Sequence, residues 1–188
     1  DKLVMGSGYQ NKLEILDFDN ASGMVSNGAN HDYGNEQPYG VEFSPNGKKL
    51  YMNTFIQSGG GSSRIRQFDM DAGSNAAIIG SGNIFVTTSD WLANLQLAPN
   101  GIIYMGEWTP AWTGVSSLNA ITNPNATAPA CNFVTDFYTL SSGEVWFGLP
   151  PMIFNIPDEG NIQINGDAVV CNHGQTVQYD FVSSGCGS

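Results

Sequence analysis

Tyr39-Gly40-Val41-Glu42-Phe43-Ser44-Pro45-Asn46-Gly47-Lys48-Lys49-Leu50-Tyr51-Met52 returns, slightly altered, as Ala93-Asn94-Leu95-Gln96-Leu97-Ala98-Pro99-Asn100-Gly101-Ile102-Ile103-Tyr104-Met105. Ser44 maps onto Ala98, a shift of 54 residues, and one residue is dropped before the second tyrosine. Each copy alternates apolar positions, turns at Pro-Asn-Gly and resumes in an apolar stretch that ends in Tyr-Met. Proline presets φ and Asn-Gly accepts the positive φ of a tight turn, so both copies read as β-hairpins. A hairpin recurring at a period near 50 marks stacked or radially arranged sheets.

The repeat is longer than the hairpin. Leu13-Glu14-Ile15-Leu16-Asp17-Phe18-Asp19-Asn20-Ala21-Ser22-Gly23 resembles Ile65-Arg66-Gln67-Phe68-Asp69-Met70-Asp71-Ala72-Gly73, with Asp17 and Asp69 separated by 52 residues. Each unit is therefore expected to hold a hairpin, a loop and a third strand closing in Asp-x-Asp, with a fourth strand at 24–26 and 76–79. The first unit starts in mid-repeat, with 2–5 as its second hairpin strand. A third unit is expected from about residue 92 to 134, and 144–156 supplies one or two further strands. Helical periodicity is not convincing anywhere. Units of three or four antiparallel strands are the make-up of β-propeller blades, and closure takes roughly four to eight of them. The fold expected is all-β: a partial propeller of about three antiparallel blades, a piece of a larger protein, followed by the beginning of an Ig- or PKD-like β-sandwich.

The domain boundary is expected at Pro157, giving a propeller fragment over 1–156 and a second domain over 157–188. Beyond it, Asn161-Ile162-Gln163-Ile164 alternates, and Val169-Val170-Cys171 leads through Asn172-His173-Gly174 to Thr176-Val177-Gln178-Tyr179-Asp180-Phe181, a strand-turn-strand pattern unlike the repeat. The Gly- and Ser-rich stretch 57–63 reads as a flexible loop inside the second unit.

Six Lys and Arg against 17 Asp and Glu give a formal charge of −11. Nucleic acid and anionic membrane surfaces want a basic face, so neither is an expected partner. No apolar run approaches the length of a membrane span. The abundance of uncharged polar residues suits a secreted or surface protein. Of three cysteines, Cys171 and Cys186 are near enough in sequence for a small disulfide loop while Cys131 stands alone; the alternative is three reduced thiols acting as small hydrophobes.

The strings YGVEFSPNGKKLYM, RQFDMDAG, LQLAPNGIIYM, LNAITNPNATAPACNF and FGLPPMIF, in that order, resemble the propeller region of large Bacteroidetes surface proteins. These are the gliding-motility-associated and adhesin-like proteins exported by the type IX secretion system. The resemblance covers roughly residues 2 to 156, and CNHGQTVQYDF resembles the start of the PKD or Ig-like repeat that follows a WD-repeat or YVTN-type propeller there. Ala98 stands where Ser is usual, and Pro151-Met152 where Asn-Phe is commoner. The resemblance implies an extracellular, cell-surface scaffold or adhesive protein whose partners are a surface glycan or protein ligand and the remaining blades and repeats of the parent chain. It carries over no catalytic residue.

Chemistry in the sequence is sparse. His31 and His173 lie in different expected domains, each in a turn. No nucleophile elbow, His-Glu-x-x-His or phosphate-cradling loop occurs in a fitting context. Asp17, Asp19 and Asn20 place oxygen ligands before a turn glycine, as in the first half of calcium loops, but the closing bidentate carboxylate is missing. The plainer alternative is that these side chains cap a turn. No other cofactor is expected. Trp91, Trp108 and Trp112, with Glu107, suggest aromatics on a rim that stack on sugar rings, with 107–113 as a loop between second and third strands; the alternative is packing between sheets. Asn20-Ala21-Ser22 and Asn125-Ala126-Thr127 match the glycosylation pattern, a match that arises readily by chance in Asn-rich chains. The leading expectation is a non-enzymatic surface binding or adhesion module. The alternatives are a lactonase- or lyase-like propeller enzyme and a purely structural spacer.

Overall fold

The computed structural model describes residues 1–56, 61–109 and 111–149, and the backbone of 163–165 and 180–182. Contacts divide the chain into two compact units, Asp1–Pro151 and Met152–Ser188. The boundary expected after residue 156 lies outside the described residues, as do Cys171, Cys186 and His173. In the second unit, β12 (Gln163–Asn165) and β13 (Asp180–Val182) form an antiparallel pair.

The first unit is three antiparallel sheets, none of them closed, with strands following one another in chain order. Sheet 1 holds β1 (Lys2–Ser7), β2 (Lys12–Asp19) and β3 (Met24–Asp32). Sheet 2 holds β4 (Glu36–Phe43), β5 (Lys49–Ile56), β6 (Ser62–Asp69) and β7 (Asn83–Thr88). Sheet 3 holds β8 (Trp91–Leu97), β9 (Ile103–Trp108), β10 (Ser117–Ile121) and β11 (Phe133–Thr139). All-β is therefore the architecture, and the two repeat hairpins are β4–β5 and β8–β9.

The two Pro-Asn-Gly corners are built alike. Gly47 N–H donates to Ser44 O at 2.8 Å and Gly101 N–H to Ala98 O at 2.9 Å. Only the glycines take positive φ, 68° and 79°; the asparagines do not. This is the hydrogen-bond pattern of a type I turn ending in a left-handed glycine, not the Asn-Gly pair at positive φ that the sequence suggests. The dropped residue shows in closure: Ser44 N–H reaches Lys49 O, whereas Ala98 N–H reaches Ile102 O, one position nearer.

The repeat also preserves a bulge. Pro38 pairs with Thr54 and Val41 with Met52, so Tyr39 and Gly40 together face Asn53. Leu92 pairs with Glu107 and Leu95 with Met105, so Ala93 and Asn94 face Gly106. Those bulged pairs are equivalent in the 54-residue shift. A Lys–Asp cross-strand pair recurs in the same way, Lys2 opposite Asp17 and Lys49 opposite Asp69.

Two corrections apply to the expected elements. Residues 76–79 are not a strand but lie in α1 (Asn75–Gly80). Ser74 caps it, its side chain accepting from Ala77 N–H, and Ser81 closes it. Ile78 is its one fully buried apolar position, and the helix ends at Gly80, a poor helix former. The fourth strand of the second unit is instead β7. In the first unit the fourth strand runs through residue 32, so His31 sits in β3 and not in a turn. Ser62 and Ser63, expected in the glycine-rich loop, begin β6, and Ser63 is buried.

Sheet 2 lies between the other two, and its β5 is buried on both faces. Leu50 and Met52 join Leu13 and Ile15 of sheet 1, Phe68 of β6 and Ile78 of α1 in one apolar cluster. Tyr51, one residue along and on the opposite face, joins Ile65, Leu92, Leu95, Ile103, Met105, Ile121 and Cys131 against sheet 3. Full burial of each such aliphatic or aromatic side chain contributes about 1.5–3 kcal/mol. The leading strands β1, β4 and β8 adjoin in sequence, β1 on β4 and β4 on β8. Gly40 permits the second approach: a Cβ there would lie 2.5 Å from Asn94 Oδ1 and 2.9 Å from Leu95 N.

Candidate functional site

At the end of sheets 2 and 3 away from the Pro-Asn-Gly corners, aromatic side chains meet in one continuous patch. The cross-strand pair Trp91 and Trp108, one from each end of the β8–β9 hairpin, places two indoles 5.9 Å apart at 81°. Phe55 at the end of β5 stands edge-on to Trp91 at 4.8 Å, and Tyr39, in the bulge of β4, lies 5.7 Å from Trp108. Trp112, in the loop after β9, sits at φ 58° and meets Trp91 at 5.8 Å. Phe147 packs on Trp108 at 5.0 Å and continues to Trp146 at 6.0 Å. Trp108 is only 5% exposed, whereas Trp112 is 59% exposed, with Tyr39, Trp146 and Phe147 each near 40%. The patch is thus a buried floor with an open surface.

The segment that carries Trp146 is docked on sheet 3 by backbone bonds. Val145 and Val115 exchange N–H···O bonds of 2.8 and 3.1 Å, and Asn94 N–H, in the second bulge, donates to Phe147 O at 3.1 Å. Gly106 makes room for Val145, because a Cβ there would lie 2.2 Å from its Cγ1. The indole N–H groups of Trp91 and Trp108 are buried and find no acceptor among the described residues. The T-shaped contacts around Trp91 instead set ring edges against π faces, a weaker compensation.

Of the residues singled out in the sequence, Trp91, Trp108 and Trp112 come together, and Glu107 does not join them. Neighbours in a strand point to opposite faces. Glu107 shares its face with Met105 and accepts from Asn119 Nδ2 at 2.8 Å. Burial raises its carboxyl above the usual range, the Asn119 amide opposes this, and the charges of Asp90 and Asp136 add to it. Glu107 and Trp108 belong to β9 and not to a loop; only the residues after them turn. Four members of the patch, Tyr39, Phe55, Trp146 and Phe147, were missed. Trp146-Phe147 was visible as an adjacent aromatic pair, but nothing in the sequence says that it returns to the β8–β9 end.

Asp17, Asp19 and Asn20 are occupied with side-chain bonds within sheet 1 and its turn. Asp17 Oδ1 accepts from Lys2 Nζ at 2.5 Å and Oδ2 from Asn27 Nδ2 at 2.8 Å, and these lower its pKa in that order. Asp19 accepts from the Ser22 hydroxyl at 2.7 Å and Ala21 N–H at 2.9 Å, which likewise lower it. Asn20 donates to the Asp1 carboxylate. The Asp19 bonds are those of a capped turn, whereas Asp17 belongs to a cross-strand ion pair. Among the described residues no group of three or more His, Cys, Asp and Glu could hold a metal ion. Cys131 is a buried free thiol in the core between sheets 2 and 3, its pKa raised by burial. No helix among the described residues is long and apolar enough to cross a membrane.

A second polar constellation had a fainter signal, the Arg64-Ile65-Arg66 alternation in an acidic chain. On one face of sheet 2, Glu36 of β4 lies between Arg64 and Arg66 of β6, 2.6 Å from Arg66 Nη1 and also paired with Arg64. The Thr54 hydroxyl donates to Glu36 Oε2 at 3.0 Å. Burial would raise the Glu36 carboxyl, but its bond to Arg66 and that charge, with Thr54 and Arg64, hold it below the usual value. Arg66 also lies over the Tyr33 ring, 4.8 Å from its centre. Tyr33 is pushed up to about 12 by burial, with Arg66 opposing and Glu36 adding.

No family model matches this chain, and no curated protein matches it either.

Proposed function

We propose that the chain is a non-enzymatic binding module, part of a secreted or surface-exposed protein, whose ligand is a glycan taken by the aromatic patch at the β8–β9 end. The observation that carries this reading is the half-open ring surface. Trp112, Tyr39, Trp146 and Phe147 present rings to solvent on a floor of buried Trp108. A contiguous exposed apolar patch on a polar surface marks an interaction site. The C–H faces of a sugar ring match aromatic faces, and a neutral saccharide escapes the repulsion that a chain of charge −11 imposes on polyanions.

The wider architecture supports a propeller reading. The sheets succeed one another in sequence, and leading strands β1, β4 and β8 adjoin as inner blade strands would around an axis. In this reading 2–149 are blades of a larger ring, the second unit begins an Ig- or PKD-like repeat, and the parent is an adhesin-like surface protein.

The test separates binding from folding. Trp112→Ala removes the most exposed ring and is expected to weaken binding to the best glycan on an unbiased array at least tenfold while leaving the melting temperature essentially unchanged. Trp108→Ala, which empties a buried site, is expected to cost about 3–5 kcal/mol of stability. Full glycan binding by folded Trp112→Ala sinks the assignment.

A further inference from the structure

We infer that the cleft between β3, the end of α1 and β7 is a second binding site, for a small monoanionic acid with a carboxylate head and an apolar body. The cleft has a volume of about 520 Å³. His31, Tyr33 and Arg66 form its polar end, and Ile79, Gly80 and Ile84 lie along the remainder. None of these residues belongs to the aromatic patch.

Three observations define the ligand. First, charge: one carboxylate, Glu36, serves two guanidiniums, Arg64 and Arg66, so the cluster holds one positive charge in surplus. Arg66 is only 7% exposed while the Arg64 side chain is 34% exposed, so the surplus is shared between a buried and a partly solvated guanidinium, and a ligand carboxylate at Arg66 balances it. Second, geometry: the Arg66 contacts to Glu36 and Thr54 both run through Nη1, the latter at 3.2 Å. A guanidinium has five N–H donors in a fixed fork, and among the described residues none accepts from the Nε–Nη2 edge, whose two parallel donors are spaced for one carboxylate. Glu36, Thr54 and the Tyr33 ring beneath hold that edge in place before any ligand arrives. Third, shape: Ile79 and Ile84 form apolar wall, Ile84 being 41% exposed, and Gly80 contributes no side chain. His31, edge-on to Tyr33 at 4.6 Å, closes the polar end with a further ring nitrogen. A single local surplus charge within a chain of −11 favours a monoanion, because repulsion from the whole molecule grows with each further ligand charge.

Hexanoate is the probe, with hexan-1-ol as its uncharged counterpart, each titrated into the full chain and followed by amide NMR shifts. Hexanoate is expected to bind in the millimolar range with shifts centred on His31, Gly80 and Ile84, and hexanol at least tenfold more weakly. Arg66→Lys, which keeps charge but loses the fork, is expected to weaken hexanoate at least tenfold. Since that change touches the ion cluster, Gly80→Phe is the second variant: Gly80 lines the cleft and a Cβ there meets nothing within 4 Å, so the substitution adds bulk at the cleft wall without a clash at Cβ. It is expected to abolish hexanoate binding at an unchanged melting temperature. Hexanol binding as tightly as hexanoate, wild-type affinity in Gly80→Phe, or no shifts at millimolar hexanoate overturns the assignment. Trp112→Ala is expected to bind hexanoate normally, so this site and the glycan patch stand or fall separately.

Discussion

The two faces of sheet 2 are stabilised differently. Toward sheet 1 the core contact is apolar, with Leu50, Met52 and Phe68 closing on Leu13, Ile15 and Ile78, and the ionic cluster of Glu36, Arg64 and Arg66 lies farther along the same face. Toward sheet 3 the apolar cluster is threaded with directional bonds. Tyr51 OH donates to Pro124 O at 2.8 Å and accepts from Gln67 Nε2 at 2.6 Å. Gln67 reaches further, donating to Ala126 O and accepting from Ala128 N–H. Asn53 donates to Leu92 O and accepts from Gly40 N–H, both at 2.8 Å. Burial of apolar area is non-directional and tolerates small slips, whereas a buried amide with one fitting donor and acceptor does not. Within the two apolar cores, sheet 1 is therefore held mainly by how much it buries, and sheet 3 also by where its backbone falls.

The largest effect should come from the apolar face. Phe68→Ala is expected to cost about 3–5 kcal/mol in urea denaturation, through lost transfer energy and the cavity left behind. It should loosen sheet 1 and α1 in hydrogen exchange before it affects β8. Asn53→Ala breaks the comparison on the other side. It leaves Gly40 N–H and Leu92 O buried without their partner, and is expected to cost about 2–3 kcal/mol with amide shift changes concentrated in β4 and β8. An exchange pattern for Asn53→Ala that matches that of Phe68→Ala would show that the two faces are not distinct. Tyr51→Phe keeps the ring and removes only the hydroxyl, so about 1 kcal/mol is expected, read as a small fall in melting temperature.

How far the chain's order announced its structure can be judged from particular residues. The Pro-Asn-Gly corners were readable because proline and glycine constrain φ locally, whatever surrounds them. The strand at Leu50-Tyr51-Met52 was readable because burial on both faces leaves a continuous apolar stretch. Residues 76–79 read as a strand because an apolar tetrapeptide has no period of its own; the Ser74 cap and the seat of Ile78 among Leu13, Leu50 and Phe68 make it helix instead. His31 was misplaced because β3 is exposed along most of its length and so carries no hydrophobic signature.

The site followed the same division. Trp91, Trp108 and Trp112 could be singled out as aromatics, but Glu107 was grouped with them only because it is their neighbour in the chain. Strand alternation sends it to the other face, where Asn119 holds it. Tyr39, Phe55 and Phe147 come from three different segments, brought to one place by the stacking of sheets.

What the residues settled alone was local and periodic: two matching hairpins, their glycine corners, the 54-residue repeat and an all-β chain. What only tertiary structure settled was non-local: which rings share a surface, which carboxylate faces which guanidinium, and where a short helix replaces a strand. The physical reason is range. Backbone dihedrals and side-chain alternation are encoded within a few residues, whereas a patch or an ion cluster exists only once segments tens of residues apart have packed.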